Sequence, residues 1–238
     1  MKRIYFLTVL FIYGLVNVVG AQDEALGITD FAAILDKAEN PQILDARSPD
    51  EYAQNHIKGA INVNLSDKAG LEKVIAALNP DNPAFTYSIN SGRSAALAGK
   101  LRASGFRQVY VLPGGLANWV GSGYPLETFG EKGLALSNEQ FNQLTRSNDM
   151  VLIDYGSKFC GGCRRLIPVL DSLENTFSNT VKIVRIEMYD NPELIKEQKI
   201  QSLPTLVLFK KGESVWSHKG LITSDILAQV IREQLKSK

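Results

Sequence analysis

Short apolar runs alternate with helix-patterned segments twice along the 238 residues, and this alternation constrains the fold more than any other feature. A helix that carries the chain back across a sheet lets the next strand start from the same edge, so the strands come out parallel. In the first half, residues 42–46, 84–87 and 108–112 read as strands. Residues 48–52 open a helical turn, and 94–101 form a helix ended by Gly105. In the second half, Ser137 with Gln140 resembles a capping box that opens a helix through Phe141 and Leu144. Residues 150–155 form a buried strand, and an amphipathic helix follows with Leu166, Ile167, Leu170, Leu173 and Phe177 at helical spacing. Pro168 predicts a kink in it. Strands at 181–188 and 205–209, a hairpin through Lys211-Gly212-Glu213 to residues 214–217, and a helix over 224–235 complete a β-α-β-α-β-β-α order. Between the halves, about 121–136 is aperiodic, contains Gly and Pro125, and reads as a linker. The expectation is an α/β chain with two domains, at 24–128 and 129–238.

Charge bounds the partners. With 26 Lys+Arg against 25 Asp+Glu and no run of like charge, nucleic acid is not an expected partner. Lys2-Arg3 precede an apolar run over 4–20, broken by Asn17, and Val19-x-Ala21 supplies small residues. Residues 1–21 therefore read as a signal peptide cleaved after Ala21, with an uncleaved membrane anchor as the alternative. Either places the remainder beyond the membrane. The terminal Leu235-Lys236-Ser237-Lys238 is no retention signal, which favours a bacterial periplasm, or another secreted location, over an endoplasmic lumen.

The two cysteines of the chain stand in Phe159-Cys160-Gly161-Gly162-Cys163-Arg164. A disulfide closing so short a loop constrains the unfolded chain little, so a structural staple explains the pair poorly. A zinc site needs further ligands, and the two histidines, His56 and His218, lie far apart in sequence. A thiol–disulfide redox pair with no other cofactor is the reading that remains. Cys160 falls where strand gives way to helix, and unpaired N–H groups there favour a thiolate. It is expected to be the exposed nucleophile, with Cys163 one turn on resolving the mixed disulfide. Lys158, Arg164 and Arg165 add positive charge nearby. Asp154, a carboxylate in an apolar strand, has two readings: buried beneath the cysteines, where it could accept the Cys163 proton, or solvated at a strand end. Pro204 could be cis, and beside Cys160 it would let the Leu203 backbone pair with an extended substrate.

Residues from about 136 to 238 resemble the thioredoxin family in Asp154, Cys160-Gly161-Gly162-Cys163, Pro168, Asn191-Pro192, Leu203-Pro204-Thr205, Gly212 and Gly220. The resemblance implies a thioredoxin fold, reactive Cys160, resolving Cys163, buried Asp154 and cis Pro204. Phe159 stands where the family usually has Trp and Gly162 where it has Pro, which puts the strength of the reductant in question.

Residues from about 28 to 126 resemble the rhodanese family through Leu44-Asp45-Ala46-Arg47-Ser48-Pro49-Asp50-Glu51-Tyr52, His56-Ile57-Lys58-Gly59-Ala60-Ile61-Asn62 and Leu112-Pro113-Gly114-Gly115-Leu116-Ala117-Asn118-Trp119. The resemblance implies a parallel sheet flanked by helices. Where that family carries its persulfide-forming cysteine, the loop Tyr87-Ser88-Ile89-Asn90-Ser91-Gly92-Arg93-Ser94 offers Ser88. A hydroxyl forms no persulfide, so Ser88, Gly92 and Arg93 are read as a non-catalytic loop that could bind an anion or dock a partner. The expected function is a periplasmic oxidoreductase of protein thiols and disulfides, fed by an unidentified electron donor. A sulfurtransferase and a purely binding protein are the alternatives.

Overall fold

The computed structural model describes residues 26–90, 92–129 and 135–236. The segment read as a signal peptide lies outside the described residues.

The elements follow in chain order: α1 Ile28–Lys37, β1 Gln42–Asp45, α2 Pro49–Gln54, β2 Asn55–His56, β3 Ile61–Asn62, α3 Lys68–Ala77, β4 Ala84–Tyr87, α4 Gly92–Ala103, β5 Val109–Val111, α5 Gly115–Gly121 and β6 Glu127–Thr128. The second half continues with α6 Asn138–Thr145, β7 Met150–Gly156, α7 Gly161–Phe177, β8 Val181–Glu187, a 3-10 turn Met188–Asp190, α8 Pro192–Glu197, β9 Thr205–Lys210, β10 Glu213–Lys219 and α9 Ser224–Lys236.

In the first half, the strands stand in the order β3-β1-β4-β5, each pair parallel. In the second, the order is β10-β9-β7-β8, with β7 and β8 parallel, β9 antiparallel to β7, and β10 closing the edge as a hairpin. The first sheet is the all-parallel layer that the alternating pattern predicts, whereas the second is mixed, because β9 runs antiparallel to both β7 and β10. The elements that pattern missed include short ones, such as β3 with two residues and α8 with six, and also the ten-residue amphipathic helix α1 ahead of the first strand. Within the stretch read as a linker, Glu127–Thr128 instead pairs with Asn55–His56.

Local chemistry sets the ends that matter for the site. Ser48 caps α2 in a full capping box with Glu51, with Pro49 in the first turn, where its missing N–H costs nothing. Helix α7 starts on Cys160 and continues through Pro168. Its buried stripe of Leu166, Leu170, Leu173 and Phe177 packs on Met150 and Leu152 of β7. By the two-residue period of a strand, Asp154 shares the face of Leu152, directly under α7. Val151, Ile153 and Tyr155 point the other way, into an apolar cluster that runs on through Ile89, Leu116 and Trp119 of the first half. One continuous core thus joins both halves.

Candidate functional site

The redox turn begins as β7 ends. Cys160 is the residue that caps α7: its Sγ accepts the Cys163 main-chain N–H at 3.2 Å. The Leu203–Pro204 peptide bond is cis, and a Cβ added to Gly162 would stand 3.1 Å from Pro204 Cδ and 3.8 Å from Cys160 Sγ. The structure therefore gathers Cys160, Gly162 and Pro204 at one point.

Hydrogen bonding with the Cys163 thiol pulls the Cys160 pKa down to about 7 against the opposing effect of burial, and the main-chain N–H groups of Cys163 and Gly162 add to the fall. The same bond and burial push Cys163 up. One thiol is primed to ionise and the other to hold its proton. Close to the turn, the Lys158 ammonium lies 5.0 Å from the Phe159 ring centroid, and Arg164 donates to the Lys158 carbonyl at 3.0 Å.

The expected exposed sulfur is not found. Cys160 is 0% exposed and Cys163 5%, while Leu203, the residue expected to pair with substrate, is 6% exposed. The first half is seated beside this turn, with Ser88, Asn90 and Arg93 lining one cavity with Phe159, Gly161 and Arg164.

Of the two readings of Asp154, the structure takes the buried one. Asp154 is 3% exposed, and its Oδ1 has no hydrogen-bond partner. Burial raises its pKa to about 6, opposed by the charge of Arg185, which is its register partner on β8. A Cβ at Gly156 would stand 3.5 Å from Cys163 Sγ and 3.7 Å from Asp154 Oδ1, so both border the space left by that missing side chain. A cavity of about 250 Å3 opens on them, with Arg185, Ile186 and Glu187 in its wall.

Glu187 escaped the sequence reading. Its carboxylate accepts the Lys158 N–H at 2.8 Å and the Tyr189 N–H at 3.4 Å, tying the end of β8 to the segment before Cys160. Its sequence offered little signal, because β8 also carries Lys182 and Arg185.

In the first half, Ser88 is buried between β4 and α4. Its hydroxyl donates to the Asn90 carbonyl and accepts the Ser94 N–H at 3.3 Å. His56 stands elsewhere, stacked on Tyr52 and Phe129 with Nδ1 on the Tyr52 carbonyl. Ser88 therefore has no histidine base. Arg93 is drawn to the capping carboxylate Glu51, its two terminal nitrogens lying 2.6 and 2.7 Å from the two oxygens. Burial would raise the Glu51 pKa, but the Arg93 and Ser48 hydrogen bonds outweigh it and hold the carboxyl low. An anion at this loop must compete with Glu51 for Arg93. Gly92 opens α4 beside them. The loop is braced from below by Gly115, whose φ of 67° and close approach leave no room for a side chain: an added Cβ would stand 2.5 Å from the Ile89 carbonyl oxygen.

Asp45 and Arg47 form an ion pair with both side chains at 0% exposure. Arg47 Nε and Nη2 grip the carboxylate at 2.9 and 2.6 Å, while Nη1 donates to Tyr189 Oη of the second half at 3.4 Å. Burial alone would lower the Arg47 pKa, but the Asp45 hydrogen bond reverses this.

A vicinal dithiol at a strand–helix junction, with a cis-proline loop against it, defines a thioredoxin-type thiol–disulfide oxidoreductase. Residues 132–233 match the family model "Thioredoxin", and residues 28–122 match "Rhodanese-like domain". The chain is 33% identical over 101 residues to the thioredoxin of Porphyra purpurea, covering 42% of this chain and 94% of that one. It is 35% identical over 95 residues to Thioredoxin Y1, chloroplastic, of Arabidopsis thaliana, covering 40% of this chain and 55% of that protein. A mutant thioredoxin from Halobacterium salinarum is similar in structure at 30% identity, with a TM-score of 0.39 over 42% of this chain and 86% of that one. The chain belongs to the thioredoxin family through its second half and carries a rhodanese-like domain ahead of it.

Proposed function

We propose that the protein exchanges disulfides with other polypeptides through Cys160 and Cys163. The observation that carries this is the opposed tuning of the two sulfurs, one pulled down by hydrogen bonds at the start of α7 and the other held up beside a buried carboxylate. The Cys160 thiolate attacks a substrate disulfide, forming an S–S bond to one substrate sulfur and releasing the other as a thiolate. Cys163 then loses its proton to Asp154, attacks Cys160 and expels the second substrate thiolate. The substrate gains two electrons, and the protein is left with a Cys160–Cys163 disulfide. An electron donor not yet identified returns the pair to dithiol, and no other cofactor takes part. Leu203 and Pro204 supply the backbone edge along which an extended substrate segment lies.

The rhodanese-like half, with Ser88, Gly92 and Arg93 at its loop, is non-catalytic and serves binding, with an anion or a protein partner as its ligand. The N-terminal pattern over residues 1–21 supports work in the periplasm or another secreted location.

Insulin reduction with dithiothreitol as donor tests the redox step. Wild type is expected to accelerate it and Cys160→Ser to leave the uncatalysed rate. Turnover of thiosulfate with cyanide that survives Cys160→Ser would instead make the protein a sulfurtransferase.

A further inference from the structure

Two contacts and one cavity lie between the halves near the redox turn. On one side, Arg47 donates to Tyr189 beyond the end of β8. On another, the last residue of α5, Gly121, lies so close to the segment before the cis-proline loop that an added Cβ would be 2.0 Å from the Ile200 carbonyl oxygen. Beside it, Gln201 donates to the Ser122 hydroxyl at 3.3 Å. On the third side, the loop of Ser88, Asn90 and Arg93 faces Phe159, Gly161 and Arg164 across a cavity of about 530 Å3. Cys160 is not in the wall of that cavity, and its residue has no exposed surface. Ile89 of the same loop is 5% exposed and belongs to the same apolar cluster as Cys160 and Leu203.

These contacts conflict with the chemistry required of the site. In-line attack by Cys160 needs an incoming S–S bond at its sulfur, and an extended polypeptide needs the Leu203 edge. With the halves seated in this way, Cys160 has no exposed surface and Leu203 is 6% exposed. We infer that the rhodanese-like half is an internal cover on the redox face, held where a polypeptide disulfide must enter, and that exchange with protein substrates proceeds from a state in which the two halves have parted. The loop that in sulfur-transferring relatives of this half bears a thiol acts here as part of a lid. This inference rests on Cys160 being the attacking thiol and adds a control on its access. Any ligand or partner that prefers the parted state will raise activity, because the observed rate scales with the population of that state.

The test uses the full chain. Gly121→Ala adds one methyl at the last residue of α5, and the strain falls on the backbone of Ile200 across the junction. Gly99→Ala in α4, where nothing lies within 4 Å of the added atom, is the control. In fully reduced protein at pH 8, iodoacetamide should alkylate Cys160 about tenfold faster in Gly121→Ala than in wild type, with insulin reduction rising alongside and the control unchanged. Equal alkylation rates in wild type and Gly121→Ala overturn the inference. Should Gly121→Ala lack a cooperative melting transition, Tyr189→Phe, which keeps the ring and loses the hydroxyl bonded to Arg47, gives the same reading. About a twofold acceleration supports the cover and none overturns it. Faster alkylation without any insulin reduction would leave the cover standing and defeat the redox assignment. Insulin reduction at unchanged alkylation rates would do the opposite.

Discussion

The Ser88 loop and the Cys160 turn occupy the same place in their respective folds, the loop that follows a buried strand and opens a helix. Both have a side-chain atom accepting a main-chain N–H of the helix start. They differ in the atom at that point and in what stands behind it. At Cys160 a polarisable sulfur is backed by a second thiol and a buried, unpartnered carboxylate. At Ser88 the hydroxyl is closed off by the Asn90 carbonyl, and the nearby carboxylate of Glu51 is taken by Arg93. The N–H groups of a helix start can lower a thiol pKa into the working range, but they cannot bring a serine hydroxyl there without a base. Equivalent backbones therefore give one site with chemistry and one without.

The largest expected effect breaks that comparison outright. Cys160→Ser makes the second turn resemble the first, and disulfide reduction should fall to the rate of the free reductant, measured as insulin turbidity. Next comes the buried ion pair that braces the first half. Asp45→Asn leaves Arg47 as an uncompensated buried charge, and loss of about 3–5 kcal/mol in denaturant unfolding is expected.

Asp154→Asn acts in the opposite direction. The carboxyl titrates near 3.8 as its reference value and at about 6 in the fold, so the folded state binds the proton more tightly. That penalty on the charged form is absent below the lower value, grows as pH rises between the two, and is complete above the higher one. At pH 7 the variant should therefore be more stable by about 3 kcal/mol, an advantage that fades toward pH 4. Its resolution of mixed disulfides should slow at the same time, because the acceptor for the Cys163 proton is gone. Wild-type alkylation of Cys160 should rise with pH through about 7, following its thiolate. The smallest effect is at Ser88→Ala, where reduction of insulin should be unaltered within error. A large loss there would show that the first loop takes part in the chemistry after all.

The redox centre was legible in the sequence because its chemistry is local. Cys160 and Cys163 are one turn apart, and Asp154 lies on the strand that delivers them. The α/β layers were legible for the same reason, since their period is written in consecutive residues. Burial of Cys160 and Leu203 was not, because both belong to an apolar cluster that takes in Ile89 and Leu116, residues far away along the chain. The partners of Arg47 were hidden likewise, Tyr189 being separated from it by 142 positions. Glu187 closes a strand whose alternation gives no hint that its carboxylate will reach back to the Lys158 N–H. Contacts between two independently patterned halves leave no periodic trace in either.

The central claim, that electrons pass through a covalent link at Cys160, is tested most directly by removing the resolving thiol. Cys163→Ser protein, reduced, incubated with an oxidised polypeptide and quenched in acid under denaturing conditions, should carry that polypeptide in a mixed disulfide mapped by mass spectrometry to Cys160. Recovery of Cys160 as free thiol only, in protein also carrying Gly121→Ala so that access is not limiting, would contradict the account.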